Sequence, residues 1–155
     1  MIVKTETTEQ PSFYLVGLAI RTTNQNGQSQ QDIGGLWGRI MQQNLLQKIE
    51  GKVSDDTYCV YTDYETDYTG AYTCIIGFKV SSLDDIPEGF TGITIAAGKY
   101  EVYYLEGKFP DKVHLAWREI WASDVSRAYT ADFDLYSANA KSFEETEVKI
   151  YLAVK

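Results

Sequence analysis

Two nine-residue stretches, "IGGLWGRIM" at 33–41 and "VHLAWREIW" at 113–121, carry the same spacing of apolar residues. In each stretch the apolar side chains stand at i, i+3, i+4, i+7 and i+8, which places them on one face of an α-helix. The two patterns match position for position, with a tryptophan at the same place in both. They predict two equivalent amphipathic helices and therefore an internal repeat.

Segments with the composition of strands flank both helices in the same order. The first half is predicted to be a tail at 1–9, a strand at 12–22, the helix at 32–49 and two strands at 57–65 and 71–80. β-Branched and aromatic residues indicate strands. The second half repeats this order, with an extended segment at 91–107, a helix opened by Pro110 that carries Val113 to Trp121, and two strands at about 132–137 and 147–154.

Three residues are expected to mark boundaries within these segments. Asp32 is predicted to be the N-cap of the first helix and Gly51 its C-cap, because these residue types favour those positions. Gly98 is predicted to break the long extended segment of the second half.

The fold class that follows is α+β, built as one domain over 1–155 from two halves, about 10–80 and 90–155. Each half reads strand, helix, strand, strand, and the two are expected to form an antiparallel sheet with two helices. Packing two such halves together leaves a central cleft, and clefts of this kind are favoured ligand sites.

Composition restricts the classes of function. The chain has 14 basic and 22 acidic residues and a net charge of −8, which opposes direct binding to nucleic acid. The N-terminus lacks the apolar run of a signal peptide and no segment has the length of a membrane helix, so we expect a cytoplasmic protein without membrane association. Cys59 and Cys74 lie in adjacent predicted strands, where a cross-strand disulfide is one alternative, but without an export signal two buried free thiols are expected. No motif indicates a metal or another cofactor.

The stretch "RAYTADFDLY" at 127–136 raises the main question about function. Asp134 and Tyr136 alternate with Phe133 and Leu135, so the two pairs lie on opposite faces of a strand. If Phe133 and Leu135 face the core, Asp134 is either an exposed edge charge or a carboxylate that pairs with a ligand cation inside an aromatic cage. The spacing alone leaves both interpretations open.

Aromatic residues supply the remaining candidates, in a chain with twelve Tyr, three Trp and six Phe. The repeat places Trp37 and Trp117 at equivalent positions, where we expect them to meet near the interface of the halves and border the cleft. Glu65 is the second candidate acid, because strict alternation puts it on the face of Tyr61. The full set of predicted ligand-binding residues is Asp134, Tyr136, Trp37, Trp117, Glu65, Tyr61, Tyr72, Tyr104 and Tyr151.

The sequence contains few features that indicate catalysis. His114 is the single histidine, and it is expected to be a solvated helix residue. The sequence contains no nucleophile elbow and no zinc-protease motif, so no catalytic residue is assigned.

Four stretches, "ITIAAGKYEVYYLEG", "AWREIW", "RAYTADFDLY" and "EVKIYLAVK", resemble the GyrI-like effector-binding domains. These domains occur fused to AraC-type and MerR-type regulators and also as free proteins. The stretch "YTDYETDYTGAYTCIIG" followed by "RAYTADF" is most similar to the free-standing effector-binding proteins of integron gene cassettes. The resemblance covers nearly the whole chain.

The resemblance implies the duplicated fold and a central cleft that binds bulky, often cationic, lipophilic molecules between aromatic side chains and a buried acid. In the family that acid is usually a glutamate, whereas this sequence has Asp134, which is one methylene shorter. The helix-turn-helix of the regulators is missing, so the chain is expected to be a sensor module without a DNA-binding part.

Three hypotheses about function remain open at this stage. The first is a binding protein for cationic or aromatic small molecules, with or without a protein partner. The second is a hydrolase of electrophilic antibiotics, an activity that in GyrI-like proteins depends on a well-placed glutamate. The third is a protein inhibitor of a topoisomerase or similar target. The sequence does not indicate the oligomeric state.

Overall fold

The computed structural model describes residues 2–109, 111–138 and 147–155. Within these ranges the chain forms two α-helices, α1 (Gln28–Gln43) and α2 (Asp111–Ala122), and one sheet. The strands of the sheet are β1 (Ile2–Gln10), β2 (Phe13–Thr23), β3 (Thr57–Thr62), β4 (Ala71–Val80), β5 (Thr91–Ile95), β6 (Gly98–Leu105), β7 (Ala131–Tyr136) and β8 (Val148–Ala153).

The strand order is β1-β6-β8-β7-β3-β4-β2-β5, and every neighbouring pair is antiparallel. The two halves occupy mirrored places in this order, with β3 and β7 side by side at the centre. The first strand of each half pairs with the second strand of the other, since β1 lies on β6 and β5 lies on β2. The predicted fold class, a duplicated α+β unit with an antiparallel sheet and two helices, is confirmed.

The predicted N-terminal tail is wrong, because most of it forms β1. Its residues pair with β6 in register, for example Glu6 with Val102 and Thr8 with Tyr100. β1 is an edge strand and most of its side chains are exposed. Threonine and glutamate are therefore tolerated along its length, and the backbone pairing that holds it leaves no apolar pattern in the sequence.

The predicted ends of the first helix are also wrong. The helix starts at Gln28 after Gly27, which has a left-handed φ of 71°, and Asp32 lies inside it. The Asp32 carboxylate accepts hydrogen bonds from Thr22 Oγ1 at 2.9 Å and from Gln28 Nε2 at 3.1 Å. This contact joins α1 to β2.

At its other end the helix stops before Gly51. Asn44 takes the left-handed C-cap position with φ 49°, and a short 3₁₀ turn at Leu45–Lys48 follows. Gly51 lies in a later turn, where its carbonyl accepts a hydrogen bond from the backbone N–H of Ser81 at 3.0 Å. The predicted role of Pro110 lies outside the described residues.

Two short connections show that the sheet is strongly rolled. Residues 11–12 join β1 to β2, and residues 96–97 join β5 to β6, although the joined strands lie at opposite ends of the strand order. The three residue steps from Gln10 to Phe13 span at most about 11 Å. The two edges must therefore approach each other at this corner. The predicted break near Gly98 is the turn between β5 and β6.

Rolling the sheet produces two cores, one on each face. One cluster includes Leu15, Val60, Ile75 and Phe133 and lies on the face away from the helices. The larger cluster includes buried residues of the sheet together with those of α1 and α2. The helices thus cover one face only, and a site between them must rest on that face.

Gly17 and Gly77 pair across β2 and β4 where these strands come unusually close. A Cβ added at Gly77 would lie 1.9 Å from the carbonyl oxygen of Val16, and one at Gly17 would lie 2.2 Å from that of Ile76. These neighbours are backbone atoms of the sheet, which cannot rotate away.

Gly77→Ala should therefore lower the free energy of unfolding by about 3 kcal/mol, at the upper end of overpacking costs, measured by urea unfolding. Gly35→Ala is the control, because an added Cβ meets nothing within 4 Å there and α1 should gain about 1 kcal/mol. Equal unfolding midpoints for Gly77→Ala and the wild type would contradict this role of the glycine pair.

Candidate ligand-binding site

The apolar face of each helix divides into two rows with different surroundings. One row, formed by Leu36 and Ile40 in α1 and by Ala116 and Ile120 in α2, is buried in the core. The other row lines a cavity and consists of Ile33, Trp37 and Met41 with their repeat equivalents Val113, Trp117 and Trp121. The duplicated pattern thus supplies both the attachment of the helices and two walls of the site.

The cavity has a volume of about 590 Å³, and nine of its twenty described lining residues are Trp, Tyr or Phe. A volume of this size falls within the range of small-molecule sites. The rings come from α1, α2, the strands and the loops beside them, and they are Trp37, Tyr61, Tyr64, Tyr68, Tyr72, Phe109, Trp117, Trp121 and Tyr136. All three tryptophans of the chain belong to this set.

Five of the predicted site residues line the cavity: Trp37, Trp117, Tyr61, Tyr72 and Tyr136. Trp37 and Tyr136 form a T-shaped contact with 5.1 Å between ring centroids, and Trp117 and Tyr61 form another at 5.4 Å. The two tryptophans therefore border one cavity from opposite helices, each against a tyrosine of the sheet. Their predicted role in ligand binding stays a prediction.

Asp134 lies one layer beneath the floor of this cavity, on the central strand β7, with 0% of its surface exposed. Its carboxylate accepts hydrogen bonds from the Tyr61 hydroxyl at 2.6 Å, Trp117 Nε1 at 3.0 Å and the Tyr136 hydroxyl at 3.4 Å. All three donors line the cavity. Asp134 is therefore not an exposed edge charge.

The environment of Asp134 brings its titration close to neutrality. Removal from water raises the pKa of this carboxyl to about 7, although the hydrogen bonds from Tyr61, Trp117 and Tyr136 act in the opposite direction. A group with this pKa can carry either a proton or a negative charge near pH 7. A small change in its surroundings can therefore change its charge.

A second buried acid, Asp132, lies on the same face of β7 and has 0% of its surface exposed. Arg127 Nη2 lies 2.8 Å from its Oδ2, the Tyr64 hydroxyl donates to the same oxygen, and the Ala153 N–H donates to Oδ1 at 2.7 Å. Burial raises the pKa of Asp132 and the Arg127 guanidinium opposes that rise. The charge of Asp132 is thus matched within the protein.

Sequence reasoning missed the group formed by Asp132, Arg127 and Tyr64. The spacing "DFD" did hold a signal, because it places Asp132 on the face of Asp134. Strand alternation did not predict the position of Tyr64, because the backbone departs from a regular strand just before this residue. β3 ends at Thr62, and Asp63 adopts a left-handed φ of 50°, which interrupts the alternation and allows Tyr64 to line the cavity.

The same turn corrects the prediction for Glu65. The side chain of Glu65 is exposed and is not among the lining residues, while its backbone N–H donates to the Ala71 carbonyl at 2.8 Å. Alternation places Glu65 beside Tyr61 only if β3 continues past Asp63, and it does not.

Tyr104 and Tyr151 are also corrected, because they lie on the face of the sheet away from the helices. Tyr151 stacks on Phe133 with 4.6 Å between centroids. Tyr104 donates a hydrogen bond to Glu6 of the edge strand. Neither tyrosine lines the cavity. Alternation separates the two faces of a strand but does not reveal which face the helices cover.

The wall of the cavity carries positive rather than negative side chains. Among its lining residues that the structure describes, the charged or titratable ones other than tyrosine are His114, Arg118 and Arg127. His114 and Arg118 are exposed at the helix surface, whereas Arg127 is buried. The acids Asp132 and Asp134 lie behind the layer of rings.

The two cysteines are free and fully buried, as expected, with 3.5 Å between their sulfur atoms. Burial raises the pKa of the Cys59 thiol well above its usual range. In the described ranges, no three His, Cys, Asp or Glu side chains are grouped as metal ligands. Of the helices described, none is long and apolar enough to cross a membrane.

Comparison with known proteins identifies the family. The model of the integron-associated effector binding protein family, Cass2, matches residues 6–154. The chain belongs to this family. The resemblance to effector-binding proteins of integron cassettes is therefore confirmed.

One curated relative and two solved structures illustrate the family and the fold. YobU of Bacillus subtilis (strain 168), provisionally named a transcriptional regulator protein, is 29% identical over 144 residues, 90% of each chain. The integron cassette protein VCH_CASS2 of Vibrio cholerae is 30% identical with a TM-score of 0.73, over 97% of this chain and 95% of that one. SAV2435, solved bound to tetraphenylphosphonium, is 23% identical with a TM-score of 0.81, over 99% and 94%.

The raised pKa of Asp134 predicts how stability depends on pH. The folded chain holds a proton on this carboxyl up to about pH 7, whereas the unfolded chain loses it near pH 4. Folding therefore becomes less favourable as the pH rises between these values, by as much as about 4 kcal/mol, and then levels off. Asp134→Asn keeps the shape of the side chain and cannot titrate.

Urea unfolding of both proteins from pH 4 to pH 8 should show the wild type losing stability relative to Asp134→Asn up to about pH 7. A constant difference between the two proteins over this range would show that the pKa of Asp134 is not raised.

Proposed function

We propose that this effector-binding protein takes a lipophilic aromatic cation into the cavity between α1 and α2, with Asp134 as the anionic anchor. The observation that carries the proposal is the buried Asp134 carboxyl, hydrogen-bonded by three side chains that themselves form the aromatic floor of a cavity of about 590 Å³. A cation resting on this floor meets ring faces first and a carboxylate directly behind them.

The two buried acids differ in whether a protein cation balances them. Asp132 forms an ion pair with Arg127. The hydrogen bonds to Asp134 come from two phenols and an indole, which are neutral donors. Binding a cation nearby would supply the opposite charge that Asp134 lacks and would favour its ionised form.

The expected interaction free energies are large enough to give measurable binding. A cation over an aromatic face gains about 0.5–2 kcal/mol. A carboxylate about 8 Å away adds about 2 kcal/mol at an effective dielectric constant of about 20. The sum of several such contacts with apolar burial is typical of micromolar recognition of drug-sized cations.

The comparisons support the class of ligand. The family description names effector binding, and the structural neighbour SAV2435 was solved with tetraphenylphosphonium, a lipophilic cation. The regulatory name of YobU suggests that ligand binding is read out by a regulatory step. With a net charge of −8, we infer that a protein partner in the cytoplasm, rather than direct contact with DNA, carries that signal.

Calorimetric titration of the chain with tetraphenylphosphonium at pH 8 tests the proposal. We expect saturable binding of one cation per chain, accompanied by a change in tryptophan emission, because all three tryptophans line the cavity. Asp134→Asn should weaken binding at least tenfold, about 1.4 kcal/mol, since it removes the charge behind the floor. Glu65→Gln is the matched control, and its exposed position predicts less than a twofold change.

Tetraphenylborate has nearly the same shape as tetraphenylphosphonium and the opposite charge. Its binding therefore separates the contribution of charge to affinity from the contribution of shape. It should bind the wild type more weakly than the cation does, and the gap between the two ions should narrow in Asp134→Asn. If Asp134→Asn binds the cation within twofold of the wild type, Asp134 is not the anchor.

A further inference from the structure

Arg127 holds a guanidinium in the cavity wall with only part of its hydrogen bonding satisfied. The residue is 6% exposed and lines the cavity. Its Nη2 donates to Asp132 at 2.8 Å and to the Tyr64 hydroxyl at 3.4 Å. Nε and Nη1 are buried and have no hydrogen-bond acceptor within the described part of the chain.

Aromatic rings surround this guanidinium without supplying an acceptor to Nε or Nη1. Its Cζ lies 4.3 Å from the ring centroid of Tyr129, 5.6 Å from that of Trp117 and 5.7 Å from that of Tyr64. Ring faces attract the positive charge, but they replace an oxygen acceptor only weakly. Buried N–H groups without an acceptor are costly, and such groups in a folded protein call for an explanation.

The residue that stacks on Arg127 also has an unusual backbone. Tyr129 has φ 56°, in the left-handed region that a tyrosine rarely adopts. Residues held in such conformations are concentrated at binding sites, where the surrounding structure keeps them in place. This observation is independent of the unpartnered nitrogens of Arg127.

Trp117 connects this guanidinium to the anchor of the proposed cation. Its Nε1 donates to Asp134, and its ring lies beside Arg127. An acidic group at the Nε1 edge and a basic group over the ring therefore adjoin one indole that lines the cavity. A ligand lying along this indole could place a positive group toward Asp134 and an acceptor toward Arg127.

We propose that the cavity is built for zwitterionic aromatic ligands, in which a carboxylate or similar anionic acceptor is received by Nε and Nη1 of Arg127. This inference rests on the proposed function and specifies the ligand class of the same site. The N–H of Nε points to the Nη2 side of the guanidinium, so Nε and Nη1 act as separate donors, and each gives one charge-assisted hydrogen bond to an anionic oxygen. Because the flanking rings cover these nitrogens from water, the anionic group reaches them by displacing a ring edge.

Rhodamine B and its ethyl ester form a matched pair of probes. Both carry the same cationic ring system, and only rhodamine B carries a free carboxylate at pH 8. Fluorescence titration of the wild-type chain should show rhodamine B binding at least fivefold more tightly than the ester. If the ester binds saturably and at least as tightly as rhodamine B, the zwitterion inference is overturned while the proposed function stands. If neither dye binds saturably, both fail.

Variants of the arginines then test which residue binds the carboxylate of rhodamine B. Arg127→Lys keeps a positive charge beside Asp132 but loses the Nε and Nη1 donors, so it should weaken rhodamine B at least tenfold and the ester less than threefold. Arg39→Gln, at an exposed position of α1 that does not line the cavity, is the control and should change both dyes less than threefold, and Arg118→Gln removes the rival arginine of the cavity wall. A loss of rhodamine B binding that follows Arg118→Gln instead of Arg127→Lys would overturn the assignment. If Arg127→Lys does not fold, the comparison of the two dyes in the wild type remains decisive.

Discussion

The hydrogen bonds from Tyr61, Trp117 and Tyr136 to the buried Asp134 carboxyl are the contacts on which the site depends. They tie β3, α2 and β7 to one point at the centre of the sheet. A carboxyl without water is costly unless its oxygens are hydrogen-bonded, and here each of the donors is also part of the cavity floor. The interaction that makes burial of the acid tolerable therefore also positions the rings that a ligand would meet.

Duplication of the fold creates the cavity above Asp134. The buried charged residues of the site come from positions at which the two halves differ. The equivalent helical rows that contain Trp37 and Trp117 form two similar walls. The buried charges, in contrast, belong to the second half, where Arg127, Asp132 and Asp134 lie within eight residues of sequence. The pseudo-symmetric aromatic cavity is thus backed by charges from one half only, which suits a ligand that is itself asymmetric in charge.

The sequence predicted the parts of the fold that follow from a regular period. The apolar rows of the helices and the whole of β4 have such a period, and so does the separation of Phe133 and Asp134 onto opposite faces of β7. Prediction from the sequence failed where this period is broken or carries no information about the structure. The left-handed Asp63 turns Tyr64 inward and Glu65 outward, and no spacing rule contains that reversal. β1 is held by backbone pairing at an edge, so its side chains carry no apolar signal. The role of Arg127 was not predicted from the sequence, because only the fold brings its side chain to Asp132.

Proton release on cation binding is the measurement that tests the role of Asp134 most directly. At pH 6.5 a carboxyl with a pKa of about 7 is mostly protonated, and a bound cation should drive that proton off. Calorimetry of tetraphenylphosphonium binding in buffers of different ionisation enthalpy should therefore show release of about half a proton or more per cation, since a stabilisation of about 2 kcal/mol lowers the pKa by about 1.5. Asp134→Asn should release almost none. Tight binding of the cation by the wild type at pH 6.5 with no proton released would contradict the assignment of Asp134 as the anionic anchor.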